Sequence, residues 1–207
     1  MNPWLEIPLD EYEAHMALVT QAQYLSRVLG ESVQKLQPAS VAIIGCAGGN
    51  GLLQLPPDTV HRVVGIDINP RYIEATRERF KTRFLQLELL CHDFISRDCV
   101  FEPVDLVYAG LVFEYVDCAT GLSAIKRFMK PGGYLLVVLQ LPNEEISAVS
   151  PTPYCSLNTL EGSLRFVPPD DFVAAANAIG LSAVYSKLAT LESGKSFQEL
   201  LFTWNCI

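Results

Sequence analysis

Apolar residues fall along this chain in two alternating rhythms. Residues 9–36 carry a helical pattern, with Leu18, Ala22, Leu25 and Leu29 on one stripe. Asp10 stands where an N-cap belongs, Glu13 follows three residues later as in a capping box, and Gly30 marks a break or an end. After Pro38 the pattern changes to short apolar runs at 41–44, 62–66, 87–91, 104–109 and 134–141, each of strand length. Helical stretches lie between them at 70–81, opened by Asn69-Pro70, and at 119–129. Residues 50–55 have room for only a turn or two before Pro56-Pro57 stop them. Met129 to Gly133 reads as a turn into the fifth run. Residues 142–153, rich in Pro, Ser, Asn and Glu, read as a loop. A helix at 170–179, ended by Gly180, precedes extended runs at 181–191 and 197–206, and Glu192-Ser193-Gly194-Lys195 joins these as a β-hairpin. The pattern is that of an α/β chain with no repeat and no domain linker.

The first run, Val41-Ala42-Ile43-Ile44, opens into a turn with Gly45, Gly48, Gly49 and Gly51 in seven residues. Glycine lets backbone approach a ligand closely, and ligands of α/β sheets bind at the carboxyl ends of strands. Asp67 lies 22 residues after Gly45, at the end of the next apolar run. A carboxylate there can accept hydrogen bonds from both hydroxyls of a ribose. These features point to a nucleoside-containing cofactor. The dinucleotide pattern Gly-x-Gly-x-x-Gly is not met, because Ala47 and Asn50 occupy its second and third glycine positions.

The stretch Ile44-Gly45-Cys46-Ala47-Gly48-Gly49 resembles the first motif of class I S-adenosylmethionine-dependent methyltransferases, often Leu-Gly-Cys-Gly-Thr-Gly. The run ending at Cys91 and followed by His92-Asp93-Phe94 is similar to that family's third motif, and residues 104–111 to its fourth region. Met129-Lys130-Pro131-Gly132-Gly133 before a strand, and the closing hairpin, are further points of likeness. The resemblance spans residues 41–207. It implies a single-domain, doubly wound, Rossmann-like methyltransferase fold, with a seven-stranded mixed sheet in the order 3-2-1-4-5-7-6 and an antiparallel last strand. It also implies an N-terminal helical lid over residues 1–40, a cofactor domain over 41–207, and S-adenosyl-L-methionine as cofactor.

The cofactor-binding positions implied are Gly45, Cys46, Ala47, Gly48, Gly49, Asp67, Ile68, Asp93, Phe94, Ala109, Gly110 and Leu111. In the family, a carboxylate at the place of Asp93 accepts from the adenine amino group, and the next backbone N–H, that of Phe94, meets a ring nitrogen. Residues near Ala109 lie beside the methionine part. Family lids fold over the cleft, which makes Tyr12, His15 and Met16 candidates for the acceptor pocket. The expected reaction, methyl transfer to a small-molecule acceptor by direct in-line displacement, needs a general base only where the acceptor must lose a proton. His15, Tyr12, Glu114 and Tyr115 are the catalytic candidates; the plain alternative is an ordinary packing helix and a structural Glu114. Two positions depart from the family: Ile43 stands where many members carry Asp or Glu, and Ala47 where glycine is usual.

Length and charge narrow the reading. The 207 residues give room for one domain with a good core. A net charge of −8 argues against a nucleic-acid partner, since the basic run around Arg71 to Arg83 is interleaved with Glu74 and Glu78. The Asp-Pro-Pro-Tyr type of motif used by amino-group base methyltransferases is missing after the fourth run. No apolar run reaches the roughly 18 residues of a membrane helix, and no secretory signal is evident, so the expectation is a cytoplasmic protein without a membrane partner. The six cysteines form no C-x-x-C pair and the three histidines are far apart, so no metal site is expected and the cysteines read as reduced packing residues. Two other classes stay open: a catalytically inactive S-adenosylmethionine-binding or interaction domain, and a nicotinamide-dependent oxidoreductase.

Overall fold

In the computed structural model, which describes residues 2–205, the strands are β1 (Ser40–Ile44), β2 (Arg62–Asp67), β3 (Gln86–Cys91), β4 (Val104–Gly110), β5 (Met129–Gln140), β6 (Ser182–Thr190) and β7 (Ser196–Thr203). They form one seven-stranded sheet in the order β3-β2-β1-β4-β5-β7-β6. The first five are parallel and β7 runs antiparallel to both β5 and β6. This is the expected class I topology. Helices α1 (Leu9–Leu18), α2 (Gln21–Leu36) and α3 (Pro70–Phe80) cover one face; α4 (Cys118–Phe128) and α5 (Pro169–Ala178) cover the other.

The period of two along each strand explains why the central runs are apolar throughout. Val41 and Ile43 of β1 point into the core beneath α1–α3, together with Leu106, Leu136 and Val138. Ala42 and Ile44 point into the core beneath α4 and α5, with Val107, Ala109, Leu135 and Val137. Ile43, where an acid was the family norm, is therefore a core side chain. At the amino ends of the strands, Asp105 accepts from the Ser40 N–H (2.8 Å) and hydroxyl (2.6 Å) and pairs with Lys130 (2.9 Å), tying β1, β4 and β5 together.

Three expectations about elements need correction. The helix expected over 9–36 is two helices. The break falls at Val19-Thr20, where Thr20 takes the left-handed conformation (φ 60°), and α1 has no side-chain cap from Asp10. This break leaves Leu18 60% exposed, off the expected stripe. Gly30 lies inside α2, where a Cβ would come within 3.3 Å of Gln54, so it serves a close helix approach and not a helix end. Met129 to Gly133 is not a free turn. It forms the start of β5, with Met129 paired to Val104 and the Gly132 N–H donating to Trp204 O (2.7 Å). Residues 155–160, within a stretch that gave no pattern, form a 3₁₀ helix that buries Leu157 and Leu160. Of the expected cysteines, Cys206 lies outside the described residues; the other five are free thiols.

Candidate active site

All five parallel strands end on one side of the sheet, and a cavity of about 370 Å³ opens there. That lies toward the small end of ligand sites, about 300–1,000 Å³. Strand order sets the order of its lining, because neighbouring strands lie roughly 4.8 Å apart. His92, Asp93 and Phe94 follow β3, Asp67 and Ile68 end β2, and Gly45 and Ala47 follow β1. Gly110, Leu111, Glu114 and Tyr115 follow β4, Gln140 ends β5, and Lys195 immediately precedes β7.

The glycine turn has a ligand side and a protein side. Gly45 is exposed, has φ +67°, and a Cβ there would meet only Val112, at 3.2 Å. Its open face looks into the cleft. Gly48 and Gly49 do not. Their missing side chains make room for the Glu13–Arg79 ion pair and for the Phe80 ring, respectively. Cys46 is fully buried with its sulfur against Gly65, and Ala109 is fully buried in the far core. Cys46, Gly48, Gly49 and Ala109 thus stand behind the cleft wall, and their part is to shape it. The other expected positions, including Ile68, Phe94, Gly110 and Leu111, line the cavity.

Asp67 holds the turn in place. Its Oδ2 accepts from Ala47 N (2.9 Å) and its Oδ1 from Asn69 N (2.9 Å). A carboxylate oxygen has two acceptor sites, so each retains one for a ligand. Burial raises its pKa, and the nearby backbone N–H groups of Asn69, Ala47 and Ile68 oppose that rise. Asp93, by contrast, is exposed and accepts from Ile95 N (3.1 Å).

The N-terminal segment closes the cleft from above. Trp4 stands edge-on to Tyr12 (5.9 Å) and Tyr115 (5.1 Å), and its carbonyl accepts from Asn69 Nδ2 (2.9 Å). The Tyr12 hydroxyl accepts from Asn50 Nδ2 (2.8 Å), beside the glycine turn. The sequence makes Tyr12 a candidate for the acceptor pocket. Tyr12, Glu13 and Trp4 also fasten the N-terminal segment to the turn and to α3, so it covers both halves. Burial keeps the Tyr12 and Tyr115 phenols protonated, well above their ordinary pKa.

The far half holds the buried polar groups. Glu114 is 2% exposed; its Oε1 accepts from Gln140 N (2.7 Å), while Oε2 is buried with no partner. Burial pushes this carboxyl up to about 7. His15 is buried, hydrogen-bonds through Nδ1 to Thr152 Oγ1 (2.9 Å), and has its pKa lowered first by burial and then by Lys195. Gln21 is buried and its Nε2 has no partner. Val149, Leu157, Leu160 and Met16 supply apolar wall. Sequence reasoning missed Gln21, Gln140, Lys195 and Trp4. Only Gln140 carried a signal, as a polar residue closing an apolar strand at the end where ligands bind. Among the described residues, no group of three His, Cys, Asp or Glu side chains is gathered as for a metal ion. Among the same described residues, no helix is long and apolar enough to cross a membrane.

A family model described as a methyltransferase domain matches residues 42–137. No curated protein matches the chain in sequence. Solved structures share the fold. The N-methyltransferase NodS from Bradyrhizobium japonicum WM9, in complex with S-adenosyl-L-homocysteine, is 20% identical with a TM-score of 0.63, covering 95% of this chain and 88% of that one. The [4+2]-cyclase SpnF is 13% identical with a TM-score of 0.68, covering 89% and 82%. A putative sarcosine dimethylglycine methyltransferase from Galdieria sulphuraria is 13% identical with a TM-score of 0.64, covering 90% and 86%.

Proposed function

We propose that this chain, whose residues 42–137 match a methyltransferase domain, transfers a methyl group from S-adenosylmethionine to a small-molecule acceptor by in-line displacement. The observation that carries this reading is the order of polar groups along the cleft. Asp93, Asp67 and the open face of Gly45 come in the sequence that adenine, ribose and methionine require, and beyond them lies a separate buried half. The residues fit the cofactor: Asp67 keeps a free acceptor site on each oxygen, and Gly45 leaves a cradle that a Cβ would narrow. Ile43 is a core side chain and offers no polar anchor, so the methionine end would be held by the backbone of the turn that the Ala47–Asp67 bond fixes. When bound, S-adenosylmethionine supplies a methyl group already activated on a sulfonium.

The protein's own work is positioning and proton handling. With the cofactor bound, Asp67 would accept from the ribose hydroxyls, Asp93 from the adenine amino group, and the Phe94 N–H would donate to a ring nitrogen. Trp4, Tyr12 and Tyr115 line the cavity together and would offer aromatic faces to a cation there while excluding water. Glu114 Oε2 is the acceptor of the proton that a hydroxyl or ammonium must lose. Its pKa of about 7 is matched to that task. His15, neutral and held by Thr152, is the second candidate base. The acid balance of −8 supports a small acceptor over a nucleic acid.

The [4+2]-cyclase among the structural neighbours shows that this fold does not fix the chemistry. Calorimetry with S-adenosylmethionine, S-adenosylhomocysteine and NAD tests the cofactor. Binding of the first two and not of NAD is the expected result, and binding of NAD alone defeats the proposal. Formation of S-adenosylhomocysteine from a panel of small hydroxyl and amine compounds tests the transfer itself.

A further inference from the structure

We propose that Lys195 holds a carboxylate of the methyl acceptor, which makes the substrate class a small monoanionic acid with an apolar body. This rests on the methyl-transfer reading above. Lys195 sits at the tip of the β6–β7 hairpin, where a lysine is ordinarily solvated, yet it is 3% exposed and lines the cavity. One ammonium N–H donates to Ala148 O (2.6 Å). Two remain, and among the described residues Lys195 makes no ion pair.

A buried ammonium without a counter-charge is costly, and proteins ordinarily pair such a group. The neighbouring imidazole, His15, carries no negative charge in either protonation state and offers no compensation. A second buried donor, Gln21 Nε2, is also unpartnered and lines the same cavity. One cation with one amide donor balances a single negative charge, a carboxylate, and falls short of a phosphate dianion. The wall between them and Glu114 is apolar, from Met16, Val149, Leu157 and Leu160. Strand order places Lys195 at β7 and Glu114 after β4, with β5 between them. An acceptor anchored by its carboxylate at Lys195 thus presents its other end toward Glu114 and the reacting methyl.

The test uses the full chain, first titrated with S-adenosylhomocysteine and then, when saturated, with phenylacetate and separately with phenylacetamide. Phenylacetate should bind more tightly by about tenfold to a hundredfold, the range for a charge-assisted hydrogen bond. Lys195→Met should abolish that preference and leave the affinity for S-adenosylhomocysteine unchanged. The wild-type comparison stands even where the variant folds poorly. Equal binding of acid and amide, or no binding of the acid, overturns the inference while leaving methyl transfer intact. A preference that survives Lys195→Met also overturns it, and would leave Lys195 as a pin for the Ala148 loop. Failure of S-adenosylhomocysteine to bind in the first titration brings down the methyl-transfer reading and this inference with it.

Discussion

Glu114→Gln should make the protein more resistant to heat at alkaline pH, with an effect that fades in acid. The buried carboxyl of the native protein titrates near 7, against 4.5 for an unperturbed glutamate, with burial as the chief cause. An acid whose pKa is raised by folding contributes fully below its unfolded pKa and loses that contribution as pH rises through the folded one. The window therefore runs from about 4.5 to about 7. Across it the wild type should lose roughly 3 kcal/mol relative to the amide variant, taking 1.36 kcal/mol for each pKa unit. For a domain of this size that is on the order of 6–12 °C in Tm. The amide leaves its own NH₂ unpaired where Oε2 stood, but that cost does not depend on pH and cancels in the comparison. His15 and Lys195 titrate in both proteins and cancel likewise. Thermal melts of both proteins at pH 5 and pH 8 suffice, and no acceptor is needed. If the Tm difference between them is the same at both pH values, Glu114 is not a buried high-pKa acid and its assignment as base loses its footing.

With an acceptor in hand, Glu114→Gln should also lower kcat by about a hundredfold to ten-thousandfold and remove the rise of wild-type kcat/KM through pH 7; an unchanged pH–rate profile would transfer the role to His15. Asp67→Asn should weaken S-adenosylhomocysteine by about tenfold to a hundredfold in calorimetry, and Asp93→Ala by less, because Asp93 is exposed; unaltered affinity in Asp67→Asn contradicts the ribose role. Gly45→Ala, at φ +67° and facing the cleft, should lose cofactor affinity with a stability cost of only about 1–2 kcal/mol. Gly49→Ala forces a methyl into the Phe80 ring and should lower Tm more than it lowers affinity; the reverse pattern refutes the two-sided turn. Tyr12→Phe should cost about 1 kcal/mol of stability through the lost Asn50 bond, read by denaturant titration, with full activity if the phenol has no part in chemistry.

The sheet was legible because its central strands are buried on both faces and read as unbroken apolar runs. The glycine turn and Asp67 were legible because backbone conformation and a carboxylate at a strand end are local properties. What was hidden is tertiary. Thr20 adopts a positive φ that its residue type does not advertise, so the break before α2 gave no signal. Which glycines face a ligand depends on where α1 and α3 pack, so Gly48 and Gly49 look like Gly45 until Glu13, Arg79 and Phe80 are in place. Lys195 follows Gly194 in a polar turn and reads as a surface lysine. Its burial arises only when residues 142–153 fold against the hairpin and present Ala148 O. Gln21 opens a helix and reads as solvated for the same reason.

The hairpin has a wider consequence. The polar side chains assigned to the adenine and ribose, Asp93 and Asp67, lie within residues 42–137, the span of the methyltransferase-domain match. Every donor assigned to the acceptor, Gln21 and Lys195, lies outside it, as do His15, Gln140 and the apolar wall from Met16, Val149, Leu157 and Leu160. The chain is thus a shared engine with its own fittings at either end. Lys195 sits at a turn between two strands, one of them at the sheet's edge. Changes of length or charge there leave the β1–β4–β5 lattice untouched. On the proposed Lys195 assignment, the charge preference for the acceptor is set at the hairpin tip, away from the central strands, while Gln21, Met16, Leu157 and Leu160 shape the rest of the pocket.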